Sequence, residues 1–95
     1  MYARVATFEG GDPERLRQMS EERANSGTME MPAGLKSAMV LQGSSKRLFM
    51  TFFDSKDQVD AAEEQFDKMG DEIPEDVRGR RTGVDVYEVV WEQDA

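Results

Sequence analysis

Residues 35–70 read LKSAMVLQGSSKRLFMTFFDSKDQVDAAEEQFDKMG, and this stretch decides the fold. Leu35–Gln42 and Lys46–Phe53 are rich in β-branched, aromatic and long apolar residues, and they flank Gly43-Ser44-Ser45. A short glycine-bearing connection between two such runs predicts a β-hairpin. Asp54-Ser55 then opens a helix. Ser55 and Gln58 have the spacing of a capping box, and Val59, Ala62, Phe66 and Met69 form an i, i+3, i+7, i+10 apolar stripe. Gly70 is the expected left-handed stop.

Working outward, Tyr2–Phe8 reads as a strand that ends at Gly10-Gly11. Asp12-Pro13-Glu14 has the marks of a helix start: an N-cap acceptor, proline in the first turn and a carboxylate facing the positive end of the helix dipole. Leu16, Met19, Arg23 and Ala24 follow as a thin apolar stripe that needs a sheet to lie on. That helix is expected to end near Asn25-Ser26-Gly27. On the other side, Asp71–Gly83 is polar, interrupted by Pro74 and Gly79, and reads as a loop. Val84–Trp91 reads as the last strand, followed by a frayed tail, 92–95. The order is β-α-β-β-α-β in one domain, 1–95. The expectation is an α+β, ferredoxin-like fold: a four-stranded antiparallel sheet with two helices on one face.

Such a sheet leaves its second face bare, and a solvated face should be polar. Strand three sets Leu48, Met50 and Phe52 against Phe49, Thr51 and Phe53; strand four sets Val84, Val86 and Val90 against Tyr87, Val89 and Trp91. Both faces are apolar enough to be buried. A homodimer with facing sheets is the simplest cover. A chain of this length buries only about 60–68% of its unfolded surface, so sharing a core with a second copy would help.

Composition narrows the function classes. The net charge is −8 and the sequence pI about 4.5, which argues against nucleic acid or an anionic membrane as partner. Cysteine is absent, so neither disulfides nor thiol chemistry enter. Histidine is absent too, removing the usual base near neutral pH and the commonest transition-metal ligand. No metal site and no cofactor is expected. The first residues already read as a strand with no signal-like segment before them, and no apolar run is long enough to span a bilayer, so a cytoplasmic location is the expectation.

In Gly11-Asp12-Pro13-Glu14, in Thr51-Phe52-Phe53-Asp54-Ser55-Lys56-Asp57-Gln58-Val59 and in Val86-Tyr87-Glu88-Val89, the chain resembles the antibiotic-biosynthesis-monooxygenase-like group of dimeric α/β-barrel proteins. Phe53 stands where that group carries a tryptophan, and Ala62 near where it carries a histidine. The resemblance implies a ferredoxin-like protomer, a homodimeric barrel, and a cavity between sheet and helices or inside the barrel. Some relatives oxidise polycyclic aromatic substrates without metal or flavin, and others degrade haem. The match would put Phe53 on the cavity side, and alternation brings Phe49 and Thr51 with it. Leu48, Met50 and Phe52 would then face the helices.

Arg4 is a charge in the middle of a central strand, on one face with Tyr2, Ala6 and Phe8, while Ala3, Val5 and Thr7 form a smaller face for helices to cover. It is expected in the cavity or the dimer interface, either binding an anionic or enolate group or held in an interfacial salt bridge. Tyr87 and Trp91, apolar bodies with hydrogen-bonding tips, suit a dimer seam or a cavity wall. Ser37 and Met39 are further candidates whose face the sequence does not fix. Met29, Met31, Met39, Met50 and Met69 are either core or an adaptable pocket. Arg78, Arg80 and Arg81 form a basic cluster that either makes an anion site at the cavity mouth or answers Asp71, Glu72, Glu75 and Asp76. Those carboxylates lack metal-loop spacing, and Glu63-Glu64 reads as the solvent face of the second helix.

The leading expectation is a non-catalytic or weakly catalytic homodimer that binds a small, largely apolar molecule in its barrel, through Arg4, Phe49, Thr51 and Phe53. The alternatives are a cofactor-independent monooxygenase acting on a phenolic or polycyclic aromatic substrate, with Arg4 stabilising an enolate and Tyr87 donating a hydrogen bond, and a structural partner protein whose cavity is filled by side chains.

Overall fold

The computed structural model describes residues 1–26 and 32–94, the side chain of Ala24 excepted. Its elements are β1 (Tyr2–Glu9), α1 (Pro13–Ser26), β2 (Leu35–Gln42), β3 (Lys46–Phe53), α2 (Lys56–Asp71), α3 (Glu75–Arg78) and β4 (Arg80–Glu88). The strands form one antiparallel sheet in the order β2-β3-β1-β4, the ferredoxin-like arrangement.

Local chemistry explains the element starts. Asp12 Oδ1 accepts from the Arg15 backbone N–H at 3.1 Å, capping the proline-initiated α1. Ser55 caps α2 in a complete capping box: its hydroxyl accepts from Gln58 N–H, and Gln58 Oε1 accepts from Ser55 N–H. Gly70 does not stop this helix. Its φ is not positive, α2 runs on to Asp71, and Glu72 caps it in a right-handed conformation.

The segment expected to be a loop holds more structure than its polarity indicates. Pro74 precedes the single turn of α3, whose Val77 is wholly buried. Gly79, at φ +83, then lets the chain pass against the β1–α1 turn. A Cβ on Gly79 would sit 2.7 Å from Glu9 O, and one on Gly11 would sit 2.6 Å from both Gly79 N and Val77 O. Asp12 N–H donates to Val77 O at 2.9 Å in the same crossing. The last strand therefore starts at Arg80 rather than Val84, and it ends at Glu88, leaving Val90 and Trp91 beyond it and exposed.

Register settles which face the helices cover. Arg4 opposes Thr51 and Val86, Ala6 opposes Phe49 and Val84, and Tyr2 opposes Phe53. On β2 a shift between Leu35 and Ser37 puts Leu35, Ala38 and Val40 on this same face. Here α2 lays Val59, Ala62 and Phe66 on Phe53, with Tyr2, Leu35, Phe49 and Met69 around them. Phe66 meets Phe49 and Phe53 edge-on, at centroid distances of 6.1 and 6.2 Å. The expected assignment is thus reversed. Phe49, Thr51, Phe53 and Arg4 lie under the helices, while Ala3, Val5, Thr7, Leu48, Met50 and Phe52 lie on the other face.

That second face also carries Ser37, Met39, Leu41 and Tyr87, and no described element covers it. Met39, Leu41 and Tyr87 are about half exposed, at 45, 47 and 55%. Of the methionines considered as pocket or core, Met69 joins the core, Met39 and Met50 belong to the open face, and Met29 and Met31 lie outside the described residues, as does Gly27.

Candidate functional site

While α2 is seated on the sheet, α1 packs against α3. Its Leu16 and Met19 are only half-buried for that reason. The space left between α1, α2 and the helix-side face of the sheet is a cavity of about 780 Å³. Ala6, Phe8 and Phe49 contribute its floor, Leu16 and Ser20 its α1 wall, and Phe66, Met69 and Ile73 its far side.

Two of the four residues expected in a ligand site line this cavity, Arg4 and Phe49. Thr51 and Phe53 lie on the same face but are wholly buried beneath α2, and the Thr51 hydroxyl has no hydrogen-bond partner among the described residues. Tyr87 and Trp91 do not reach it. Tyr87 points to the open face, and Trp91 is 76% exposed past the end of β4.

Arg4 is 2% exposed and ion-paired. Its Nε donates to Glu63 Oε1 at 2.7 Å and its Nη2 to Glu63 Oε2 at 3.2 Å, while the guanidinium carbon lies 4.5 Å from the centroid of the Phe66 ring. The salt bridge is internal to the protomer, and Glu63 turns inward from what the sequence presents as a solvent face. Fork-to-fork geometry of this kind is the strongest form of the pair.

The basic lining extends well beyond Arg4. Six of the chain's eight arginines border the cavity, Arg4, Arg23, Arg47, Arg78, Arg80 and Arg81, against three carboxylates, Asp67, Asp71 and Glu75. The lining is rich in arginine for an acidic protein, although carboxylates just outside it, Glu9, Glu63 and Glu72, answer three of these charges. A register shift between Thr7 and Phe8 brings Arg81, not Thr82, opposite Phe8, so both Arg80 and Arg81 reach the rim. Arg78, Arg80 and Arg81 all border the cavity, with Arg23 and Arg47 from α1 and β3, and among the described residues none of the three pairs with Asp71, Glu72, Glu75 or Asp76 as the sequence suggests: Arg80 pairs with Glu9, Arg81 with Asp67, and Arg78 donates to backbone carbonyls. Four of the six are paired: Arg4 with Glu63, Arg23 with Glu72, Arg80 with Glu9 and Arg81 with Asp67.

Arg47, which the sequence reading passed over, is 5% exposed. Its Nη2 donates to the Arg78 carbonyl, its guanidinium carbon lies 5.6 Å from the centroid of the Phe8 ring, and its Nη1 has no partner among the described residues. Burial pushes its pKa below the ordinary arginine value, because the charged form loses water. Arg78 curls back on its own loop, donating from Nε to Ile73 O at 3.1 Å and from Nη1 to Gly79 O at 3.0 Å. Among the described residues, no group of three or more carboxylates is gathered closely enough to hold a metal ion. No described helix is long and apolar enough to cross a membrane.

No family model and no curated protein matches the sequence. Among solved structures, the fold matches a crystal structure of an MhuD arginine-to-serine mutant with two manganese protoporphyrin IX molecules bound per active site. The TM-score is 0.60 over the whole of both chains, at 12% identity. This likeness shows a shared ferredoxin-like fold; membership of any family has no support at the level of sequence.

Proposed function

We propose that this protein is a homodimeric small-molecule binder, non-catalytic or weakly catalytic, that holds a largely apolar ligand between its sheet and its helices. The cavity carries the reading. Its volume of about 780 Å³ falls within the range of about 300–1,000 Å³ typical of small-molecule sites. Its apolar walls, Phe8, Leu16, Phe49, Phe66, Met69 and Ile73, come from both layers of the fold. Open space of this size favours a binding role over a structural protein whose interior is filled by side chains. The MhuD structure, with its porphyrin-occupied active site, supports a binding role for this architecture. A metalloporphyrin here would lack any imidazole ligand, since the chain has no histidine.

The cofactor-independent oxygenase reading called for Arg4 at an enolate and Tyr87 as a donor beside it. Glu63 already occupies the Arg4 fork, and Tyr87 belongs to the opposite face of the sheet. Binding is the better-supported role. Dimerisation through the open face is supported by its apolar character, since Met39, Leu41, Leu48, Met50, Phe52 and Tyr87 meet there.

Native mass spectrometry of protein purified under mild conditions tests the proposal. A dimer carrying additional small-molecule mass is the expected result. A monomer with no added mass, even after incubation with excess apolar probe, would contradict it.

A further inference from the structure

We infer that the cavity contains an oxyanion subsite formed by Arg47 and Arg78, so that the ligand is an apolar body carrying a carboxylate. The inference rests on the binding role proposed above and names the chemistry of what is bound.

The first observation is the choice of cation. Six of eight arginines border the cavity and none of the four lysines does. Arginine presents a planar, pre-organised fork matched to a carboxylate, whereas lysine offers a mobile, strongly hydrated point charge. A cavity that needed positive charge only for solubility would not discriminate between them.

The second observation is which arginines are unclaimed. Arg4, Arg23, Arg80 and Arg81 each have a carboxylate partner within 4.0 Å. Arg47 and Arg78 have none among the described residues and donate only to backbone carbonyls, those of Arg78, Ile73 and Gly79. The Arg47 Nη2 bond to the Arg78 carbonyl ties the two residues to one end of the cavity, beside Phe8.

The third observation is the unmet donor itself. Arg47 is 95% buried and its Nη1 has no acceptor among the described residues. A buried guanidinium without a counter-ion is costly, and a carboxylate bound at the end of the cavity that Arg47 and Arg78 line would supply the missing charge, although Nη1 itself is enclosed and faces no open space. The apolar wall of Phe8, Phe49 and Phe66 continues from this end and would take the ligand's body.

The test follows displacement of N-phenyl-1-naphthylamine, a neutral fluorescent probe of apolar cavities, by decanoate and by decanol. These competitors share a chain and differ in the head group. For the wild type, decanoate should displace the probe at about tenfold lower concentration than decanol, the scale of one or two charge-assisted hydrogen bonds. Arg47→Gln should erase this advantage, its own probe affinity being measured alongside so that the two competitors are compared at equal probe occupancy. Arg78→Gln should reduce it and serves as the second variant should Arg47→Gln not fold. Arg17→Gln, which removes the same charge from the exposed face of α1, should change nothing. Equal displacement by the two competitors in wild type, or an advantage that survives both substitutions, would overturn the subsite while leaving the cavity reading intact. Failure of the probe to bind at all would overturn the binding role and the subsite with it.

Discussion

Arg4 on β1 and Glu63 on α2 form a two-pronged ion pair, Nε to Oε1 at 2.7 Å and Nη2 to Oε2 at 3.2 Å, that fastens the helix to the centre of the sheet. The pair is asymmetric: Arg4 is 2% exposed on its side chain and Glu63 37%. Removing the carboxylate strands a buried charge, whereas replacing both partners by apolar groups removes the need for either. Breaking a fully buried pair costs about 3–5 kcal/mol, and the partial exposure of Glu63 lowers this to about 2 kcal/mol for Glu63→Met. The double variant Arg4→Met/Glu63→Met should lie within about 1 kcal/mol of wild type, its methionines packing on the Phe66 ring. Urea denaturation of wild type, Arg4→Met, Glu63→Met and the double variant checks this. Independent, additive losses would show that the pair is not coupled.

The crossing of the β1–α1 turn over the α3–β4 connection should make two glycines unequal. Both Gly10 and Gly79 have positive φ, but a Cβ on Gly10 meets nothing within 4 Å, while one on Gly79 meets the Glu9 and Gly10 carbonyls at 2.7 and 2.9 Å. Gly10→Ala is expected to cost about 1 kcal/mol. Gly79→Ala should cost about 3 kcal/mol, since strain and steric overlap add. Thermal melts separate the two, at roughly 4–8 °C per kcal/mol for a domain of this size. Equal losses would contradict the close approach.

Phe66 joins the helix layer to the sheet through Phe49, Phe53 and Arg4. Phe66→Ala should cost about 3–4 kcal/mol, combining lost burial with the void left behind. A loss below about 1 kcal/mol in chemical denaturation would place the core elsewhere.

The proposed homodimer makes the open sheet face its seam. Tyr87→Glu sets a charge among Ala3, Phe52 and Tyr87's other neighbours on that face, and sedimentation velocity should show the wild-type dimer shifted toward monomer. Trp91→Glu, just past the strand end, should weaken association less. Unchanged sedimentation of both variants would place the seam on another surface.

Local signals made most of the fold legible. The hairpin, the proline-led start of α1 and the Ser55–Gln58 capping box each depend on a few consecutive residues, and the structure has all three. The side of the sheet taken by the helices was not legible, because β3 is apolar on both faces. The deciding contact, Arg4 with Glu63, joins positions 59 residues apart. A lone arginine in a central strand signals a buried partner without saying which element brings it.

Legibility also failed where irregular backbone carries the site. The start of β4 at Arg80 depends on Gly79 and on the register shift beside Thr82, in a segment whose polarity reads as loop. The Arg78, Arg80 and Arg81 cluster was visible as a motif, but its convergence with Arg23 and Arg47 arises only from packing. No local pattern marks Arg47: it follows a lysine at the start of a strand and would pass for a solvated charge.

The measurement closest to the central claim is a fluorescence titration of wild type and Ala38→Trp with N-phenyl-1-naphthylamine. Ala38 lies on the cavity wall, on an exposed stretch of β2, so an indole there occupies the space without disturbing the Phe53–Phe66 core. Saturable binding near one probe per chain, lost or weakened by about tenfold or more in Ala38→Trp while its melting temperature holds, is the predicted result. No saturable binding by wild type, or equal binding by the variant, would contradict a ligand-holding cavity between sheet and helices.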